Sequence, residues 1–322
     1  MRRPWFDARP LVVLAPMEGI TDSPCRRISR LVSPDAVLFT EFTSARGLLH
    51  GNERTWKMVH FEPEERPLVV QIFGSSPEDM AAAAREVEAR LRPDGIDINF
   101  GCPVRKVTGR GEGCGLMRDP ARAALVVRAT KDALHATPLS AKIRLGWERR
   151  EEAVPFALAL EEAGADLVTV HGRLRKERPR DPADWEAIAR VKRALRVPVI
   201  GNGDIASGAD ARRRIEESGV DGVMIARAAM GNPWVLAEIV AALRGEPSPE
   251  APGIDEKIRL ILRHLDLNIA HHGDRRGVLA MRAHFGDYFS GFPGAKELRT
   301  RLNDLSTRDD VLTLLEPLLQ LV

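Results

Sequence analysis

Eight short apolar runs recur along the chain: Leu11–Ala15, Ala36–Phe39, Leu68–Phe73, Ile96–Asn99, Leu139–Ile143, Leu167–His171, Val197–Gly201 and Gly222–Ala226. Most are near-continuous in Val, Ile and Leu rather than alternating with polar residues. A strand with one face in water alternates; a continuous run suits a strand covered on both faces, as in a parallel sheet. Helical segments lie between the runs. Pro77 opens one over the Ala81–Ala84 run, and Pro120 to Ala136 follows Asp119 as N-cap. Glu151 to Ala163 stops at Gly164, and Asp184 to Arg196 and Ser207 to Glu217 complete the set. Eight strand–helix units in roughly 240 residues match the count and size of a (β/α)8 TIM barrel. The competing fold is a doubly wound open sheet, which uses fewer strands and often has a Gly-rich first turn. Here the first run enters Ala15-Pro16-Met17-Glu18-Gly19, which lacks that spacing.

The composition shifts after Arg244. The Pro- and Gly-rich stretch from Gly245 to Gly253 reads as a linker. It divides a barrel over 1–244 from a small α-helical domain over 255–322, with 245–254 between them. Ile258, Ile261, Leu262, Leu265 and Ile269 recur at helical spacing. Val278, Met281, Phe285 and Phe289 suggest a second helix, Leu298 and Leu302 a third after Pro293-Gly294, and Val311 to Leu321 a fourth. From residue 246 on, ten Lys and Arg stand against twelve Asp and Glu, a net of −2 in a chain whose total is +2. A near-neutral total neither demands nor excludes a polyanionic partner, so local clusters have to decide. Three cysteines, Cys25, Cys102 and Cys114, without paired spacing argue against a disulfide framework and for the cytoplasm. No run is long enough to span a membrane, and no metal is expected. Met1-Arg2-Arg3 looks like the start of a secretion signal, but Asp7 and Arg9 interrupt it and the next apolar run breaks at Pro16.

Barrel enzymes carry their chemistry at the C-terminal ends of the strands. Collecting what stands there gives Pro16, Met17 and Glu18, then Glu41, Gln71, Asn99 and Cys102. Lys142 and Arg144, His171 and Arg173, Asn202-Gly203-Asp204 and Ala226-Arg227 complete the rim. Cys102 sits at a bend between Gly101 and Pro103 just past a strand end, a place suited either to chemistry or to a small buried thiol. The loops after strands seven and eight are a recurring phosphate site in barrels, where Gly203 allows close backbone approach and Arg227 supplies a donor fork. Lys142, in an apolar strand, is open to two uses: a Schiff base, or a positive charge where a cofactor gains electrons. Gln71 offers a donor and an acceptor, as the imide edge of a flavin or a pyrimidine requires, and equally fits a structural role. Residues 173–180 hold five basic residues and one acid, and Arg105, Lys106 and Arg110 follow Cys102. A basic run on a catalytic rim points to a polyanionic substrate.

Together these residues resemble the tRNA-dihydrouridine synthase family. Leu14-Ala-Pro-Met-Glu-Gly-Ile-Thr-Asp22 is similar to that family's N-terminal signature, and Asn99-Phe-Gly-Cys-Pro-Val-Arg-Lys-Val107 to its catalytic loop. Lys142-Ile-Arg-Leu-Gly-Trp147, His171-Gly-Arg173, Asn202-Gly-Asp204 and the tail segment Met281 to Arg299 match in order. The resemblance implies an FMN enzyme that uses NADPH, or NADH, to reduce uridine in tRNA to 5,6-dihydrouridine. Pro16, Met17, Glu18, Gln71, Lys142 and His171 would hold the flavin, with Asn202, Gly203, Asp204, Ala226 and Arg227 at its ribityl and phosphate end. Ala226 stands where relatives commonly have glycine. Cys102 would be the general acid and Asn99 would place the uracil. Arg105, Lys106, Arg173, Arg175, Lys176, Arg282 and Arg299 would meet the tRNA, with the protein acting as a monomer. Two other readings use parts of the same pattern. A dihydroorotate dehydrogenase-like barrel acting on a free pyrimidine leaves the basic loops and the tail without a use. A non-catalytic RNA-binding barrel would carry no chromophore.

Overall fold

The computed structural model describes residues 5–7, 9–290 and 294–319. Met1-Arg2-Arg3, the Pro293 break and the Leu321 end of the last expected helix lie outside them. Among these described residues nine strands form one parallel sheet: β1 (Leu11–Leu14), β2 (Val37–Phe39), β3 (Thr43–Ser44), β4 (Leu68–Phe73), β5 (Gly95–Asn99), β6 (Leu139–Arg144), β7 (Leu167–His171), β8 (Val199–Asn202) and β9 (Gly222–Ile225). β1 pairs with both β2 and β9, and β2 with β4, so the sheet closes on itself. β2 and β3 lie along the same edge of β4, at Leu68–Val69 and Ile72–Phe73, and act as one interrupted strand. The ring is therefore the expected eight-stranded TIM barrel. The break at Thr40-Glu41-Phe42 releases the Glu41 side chain to accept from the Gly19 N–H at 2.5 Å.

Alternation along each strand separates two cores. Outward residues such as Val70, Ile72, Ile96, Ile98, Ala141 and Val168 pack under the surrounding helices. Inward residues Leu11, Val13, Val37, Phe39, Val69, Leu167 and Ile200 fill the lower barrel, and Trp5 packs edge-on to Phe39 beneath them. The N-terminal face is held by one device used three times. Asp94, Asp166 and Asp221, each just before or at a strand start, accept the first N–H of the neighbouring strand at 2.8–2.9 Å. Each also takes a cation, from Arg66, Lys131 and Lys192 respectively. On the opposite face the helices begin with side-chain caps. Asp22, Ser76, Asp119, Asp184 and Ser207 each accept a backbone N–H of the first turn, and Pro24, Pro77 and Pro120 stand in three of those turns. The loops carrying function are thus gripped at both ends.

The helix Trp234–Arg244 ends at Gly245 with φ +71°, and residues 246–253 have no regular structure. The tail then forms helices Ile254–His272, Asp274–Ala280, Arg282–Tyr288, Ala295–Asp304 and Arg308–Leu319. The single second helix expected over Val278–Phe289 is two, divided at Met281. Ile258, Ile261, Leu265, Met281, Phe285 and Tyr288 build a separate core, which includes Ile28 of the barrel helix Ser23–Val32. The tail therefore packs on the barrel through its apolar face. His272 Nε2 and Asp22 Oδ2, 2.9 Å apart, add a polar tie. Among the described residues no helix is long and apolar enough to cross a membrane.

Candidate active site

The upper barrel interior is polar, and strand register explains why its side chains meet. Gln71 stands opposite Asp97, Asn99 opposite Lys142, Arg144 opposite His171, His171 opposite Asn202, and Asn202 opposite Met224. Cross-strand partners in register share a face, so β4 to β9 present one inward row made of three adjoining tiers, Gln71–Asp97–Ser140, Asn99–Lys142–Thr169 and Arg144–His171–Asn202–Met224. At one end of it Ser140 Oγ–H donates to Asp97 Oδ1 at 2.6 Å, and Gln71 Nε2–H donates to Asp97 Oδ2 at 2.7 Å. Asn99 Nδ2–H donates to Gln71 Oε1 at 2.8 Å. Asn99 Oδ1 accepts from the backbone N–H groups of Gly101 (2.9 Å) and Cys102 (2.8 Å). The bend carrying the thiol is therefore tied to the barrel interior through two amides.

Cys102 is 6% exposed. Burial pushes its thiol above the ordinary value, and the Glu18 carboxylate adds to the shift against weaker opposition from the Val104 backbone and Arg144. A neutral thiol follows. Arg144 Nε–H donates to Gly101 O at 2.8 Å, and the Cys114 N–H donates to Cys102 O at 3.0 Å. Gly113, at φ +55°, passes so close that a Cβ there would lie 3.2 Å from the Cys102 Cβ. The thiol is held from three sides.

Lys142 Nζ lies 3.4 Å from Asn202 Oδ1, and Asn202 Nδ2–H donates to Met224 O at 2.7 Å. Burial, with Arg144 nearby, lowers the Lys142 ammonium to about 8 against the pull of Asp97. His171 is held well below its ordinary value by burial and by the cations Lys142, Arg144, Arg173 and Arg227. It is neutral, with Nε2 accepting from Arg173 Nη1–H at 3.1 Å.

At the other end of the row a cavity of about 640 Å³ opens, lined by Met17, His171, Arg173, Asn202, Gly203, Asp204, Met224, Ala226 and Arg227 among others. Gly203 has φ +133°, and a Cβ there would lie 2.7 Å from that of Ala183. Only glycine fits. Ala226 has φ −118°, outside the left-handed region that favours glycine. Arg173 is 2% exposed and lines the cavity. Its Nη2 donates to both Asp204 oxygens, and Nε to Asp181 O at 2.6 Å.

Pro16 is half-buried and Glu18 exposed on the first loop. That loop is anchored from below. The Met17 N–H donates to Thr21 Oγ1 at 2.9 Å, and Thr21 O accepts from Arg26 Nη1 at 2.9 Å. Arg26 itself is fully buried against Glu65, Nε to Oε2 2.6 Å. Arg105 and Lys106 are exposed on the short helix Arg105–Thr108 directly after the thiol, and Lys176 is exposed beyond β7. Arg175 stacks 4.0 Å over the Trp147 ring. Arg282 and Arg299 are exposed on tail helices; Arg282 donates to Leu305 O at 3.2 Å and Arg299 stands against Gly286. The inward barrel residues thus converge, while Arg105, Lys106 and Lys176 stand exposed on loops and Arg282 and Arg299 on the tail. Sequence reasoning passes over Asp97, Ser140 and the anchoring role of Arg144. The available signal is period two along Asp97–Asn99 and Ser140–Arg144, which turns all of these residues inward.

A model of the family described as Dihydrouridine synthase (Dus) matches residues 13–322. A probable tRNA-dihydrouridine synthase 1 of Synechocystis sp. is 39% identical over 298 residues, covering 92% of this chain and 82% of that protein. The tRNA-dihydrouridine synthase B of Pseudomonas putida is 39% identical over 303 residues, covering 93% and 88%. Among solved structures, a variant of NCR from Zymomonas mobilis superposes with a TM-score of 0.50 at 14% identity, over 77% of this chain and 94% of that one, a likeness of fold alone. Matched from its first strand to its last residue, and sharing two residues in five with curated relatives over nine-tenths of its length, this chain belongs to the dihydrouridine synthase family.

Proposed function

We propose that the chain reduces uridine in tRNA to 5,6-dihydrouridine, with FMN bound across the barrel rim and NADPH as reductant. The observation that carries this reading is the path of inward side chains from the Cys102 bend to Asn99, across the register to Lys142, and through the Lys142–Asn202 contact to the arginine-lined cavity. The family is FMN-dependent, and the residues here fit that group. A cavity of about 640 Å³ is in the range that holds a cofactor. Its apolar lining, Met17, Met224 and Ala226, suits a flat ring. Arg173, Arg227 and the bare backbone of Gly203 suit a phosphate. Bound there, FMN supplies the hydride taken up at C6 of the uracil.

The protein does the rest. The target uridine has to leave the RNA stack to reach an interior row, which makes the site a pocket for a flipped base. Asn99 seats the ring. Lys142 offers positive charge to the oxygens on which negative charge develops, worth most in a site from which water is excluded. Cys102, neutral because it is buried, delivers its proton to C5; a thiolate could not. Neutral His171 and the Asn202 amide orient the cofactor. Pro16 and Met17 cover it, Glu18 borders it, Gln71 lies beneath it, and Asp204 positions the two arginines. Arg105, Lys106, Arg175 and Lys176 surround the mouth with positive charge, and Arg282 and Arg299 extend it onto the tail. The three cysteines are free, as in a cytoplasmic enzyme, and the tail spends its apolar face on its own barrel, which supports a monomer.

The test is Cys102→Ala. The purified variant should stay yellow, with a wild-type flavin spectrum and tRNA affinity. Its dihydrouridine formation, mapped by mass spectrometry, should fall by about 100-fold or more, the usual share of a general acid. Wild-type turnover in the variant would remove Cys102 from the reaction. A colourless wild-type protein that binds no FMN would remove the flavin.

A further inference from the structure

We propose that Asp97 is the positioning residue of this site: it sets the direction of the Gln71–Asn99 amide chain and so holds the Cys102 bend. Donor and acceptor counts fix that direction. Asn99 Oδ1 accepts two backbone N–H groups, from Gly101 and Cys102. Those donors force the oxygen of the amide toward the bend and its nitrogen toward Gln71. Gln71 then has to present Oε1 to Asn99, leaving Nε2 pointed at position 97. Only an acceptor can stand there, and a carboxylate, which has no hydrogens, cannot present the wrong atom. Ser140 Oγ–H donates to the other carboxylate oxygen and holds it still. Every donor in the chain thus runs one way, from the bend to Asp97. Gln71 and Asp97 are both 0% exposed, so water does not substitute for a missing partner.

The direction has a consequence at the surface of the site. Asn99, which is 6% exposed, uses one Nδ2 hydrogen in the chain and keeps a second. With Lys142, opposite Asn99 in register, the groups offered are donors. A ring that meets them should present carbonyl oxygens, as uracil does, rather than the amino group of cytosine. The inference deepens the functional reading above and rests on its assignment of Cys102 and Asn99. Its core, the hold on the bend, is testable without flavin or tRNA.

The experiment is a cycle of variants in the full-length protein. Gln71→Glu sets two carboxyl groups face to face, and at an assay pH above the one at which such a pair shares a proton it breaks the chain. Asp97→Asn alone keeps an acceptor and should be mild. Combined with Gln71→Glu, Asp97→Asn presents its N–H to the new carboxylate, whose other oxygen still accepts from Asn99. The double variant should therefore recover what Gln71→Glu loses. Two readouts are measured in each. The first is the rate of iodoacetamide alkylation at Cys102, located by peptide mass. It should rise about tenfold in Gln71→Glu as the bend loosens and return to within about twofold in the double variant, the size expected for a buried charge-assisted bond. The second is single-turnover dihydrouridine formation from reduced enzyme, which should fall and recover in parallel. A double variant no better than Gln71→Glu in both readouts, or Gln71→Glu alkylated at the wild-type rate, overturns the proposal. Thiol protection that follows the cycle without any dihydrouridine in the wild type would sustain Asp97 and sink the functional reading instead.

Discussion

Arg173 and Asp204 meet in a forked contact, with one guanidinium nitrogen 2.5 and 2.7 Å from the two carboxylate oxygens. The arginine follows β7 and the aspartate follows β8, so the pair joins two neighbouring loops into one cavity wall. Asp204 also accepts from Arg227 Nη2 at 3.1 Å and from the Ala183 N–H at 2.8 Å. Burial alone would raise its carboxyl, but these partners, Arg173 first, hold it below the usual range. The same guanidinium donates to His171. One side chain thus organises the anion end and the histidine together.

Arg173→Ala should therefore loosen the cofactor rather than the RNA. Removing one partner of a buried charge pair costs on the order of 3 kcal/mol, about 100-fold in a dissociation constant. Fluorescence titration of apoprotein with FMN should show that loss, with tRNA affinity of the apoprotein unchanged. Arg173→Lys should recover little, because a single ammonium cannot serve His171 and both Asp204 oxygens at once. FMN affinity equal to wild type in Arg173→Ala would place the arginine outside the cofactor site.

Lys142 should make activity and stability move in opposite directions with pH. Burial lowers its ammonium to about 8, against about 10.4 for an unfolded lysine. Between those values the unfolded chain keeps a proton that the folded chain has released, so stability rises with pH across this window. The charge that assists the reaction disappears over the same range. Single-turnover rates should fall as pH rises through about 8, while the urea midpoint increases. Lys142→Met should be slow and should show neither trend. An alkaline fall in rate that persists in Lys142→Met would belong to another group.

Periodicity decides how much of the fold and the site is legible in the sequence. The strands are readable because both faces of a barrel strand are apolar in its lower half, as with Leu11 and Val13 inward and Val12 and Leu14 outward. The upper half carries the site, and there each inward polar residue stands one position from an outward apolar one. Lys142 and Asn99 are readable for that reason. Asp97 is not, although it lies two residues from Asn99, because an acidic residue near a strand start looks like a turn. The burial of Arg173 is not legible either, because five bases in a run look solvated. The fold of the loop back onto Asp181 and Asp204 buries one of the five, and nothing local in the sequence records a partner 31 residues away. The tail helices are readable from spacing, but the division at Met281 is not, since apolar positions continue in phase across it.

The tie between barrel and tail should be sensitive to Asp22. Its Oδ1 caps the helix Ser23–Val32 by accepting the Cys25 N–H at 3.1 Å, and its Oδ2 faces His272 Nε2. Burial would raise the carboxyl, but the His272 contact and the cap outweigh it and hold the value below the ordinary 3.8. The stability it contributes is therefore present above that value and lost as pH falls through the lowered one. Asp22→Ala should cost about 1–2 kcal/mol through the cap and the tie together. Limited proteolysis within residues 246–253 should quicken, because an undocked tail frees the connecting segment. His272→Gln, which keeps a donor, should stay near wild type. Unchanged cleavage in Asp22→Ala would mean that the apolar core alone secures the tail.

The rim bases should act on binding and leave the chemistry intact. Arg105 and Lys106 are exposed directly beyond the thiol, and Lys176 is exposed beyond β7. Removing one cation that neutralises a phosphate should reduce the slope of log affinity against log salt by about 0.7–0.9. The triple alanine variant should therefore lower the slope by about 2 and raise KM for tRNA at physiological salt. At saturating tRNA its kcat should stay within about threefold of wild type, since none of the three touches the inward row. Arg282→Ala and Arg299→Ala in the tail should each change the slope by less than one phosphate's worth if the barrel mouth dominates, and by a full phosphate's worth if the tail shares the grip. A triple variant that keeps the wild-type slope while losing kcat would reverse these roles. The basic loops would then shape the pocket itself, and the hold on the polyanion would have to come from elsewhere on the chain.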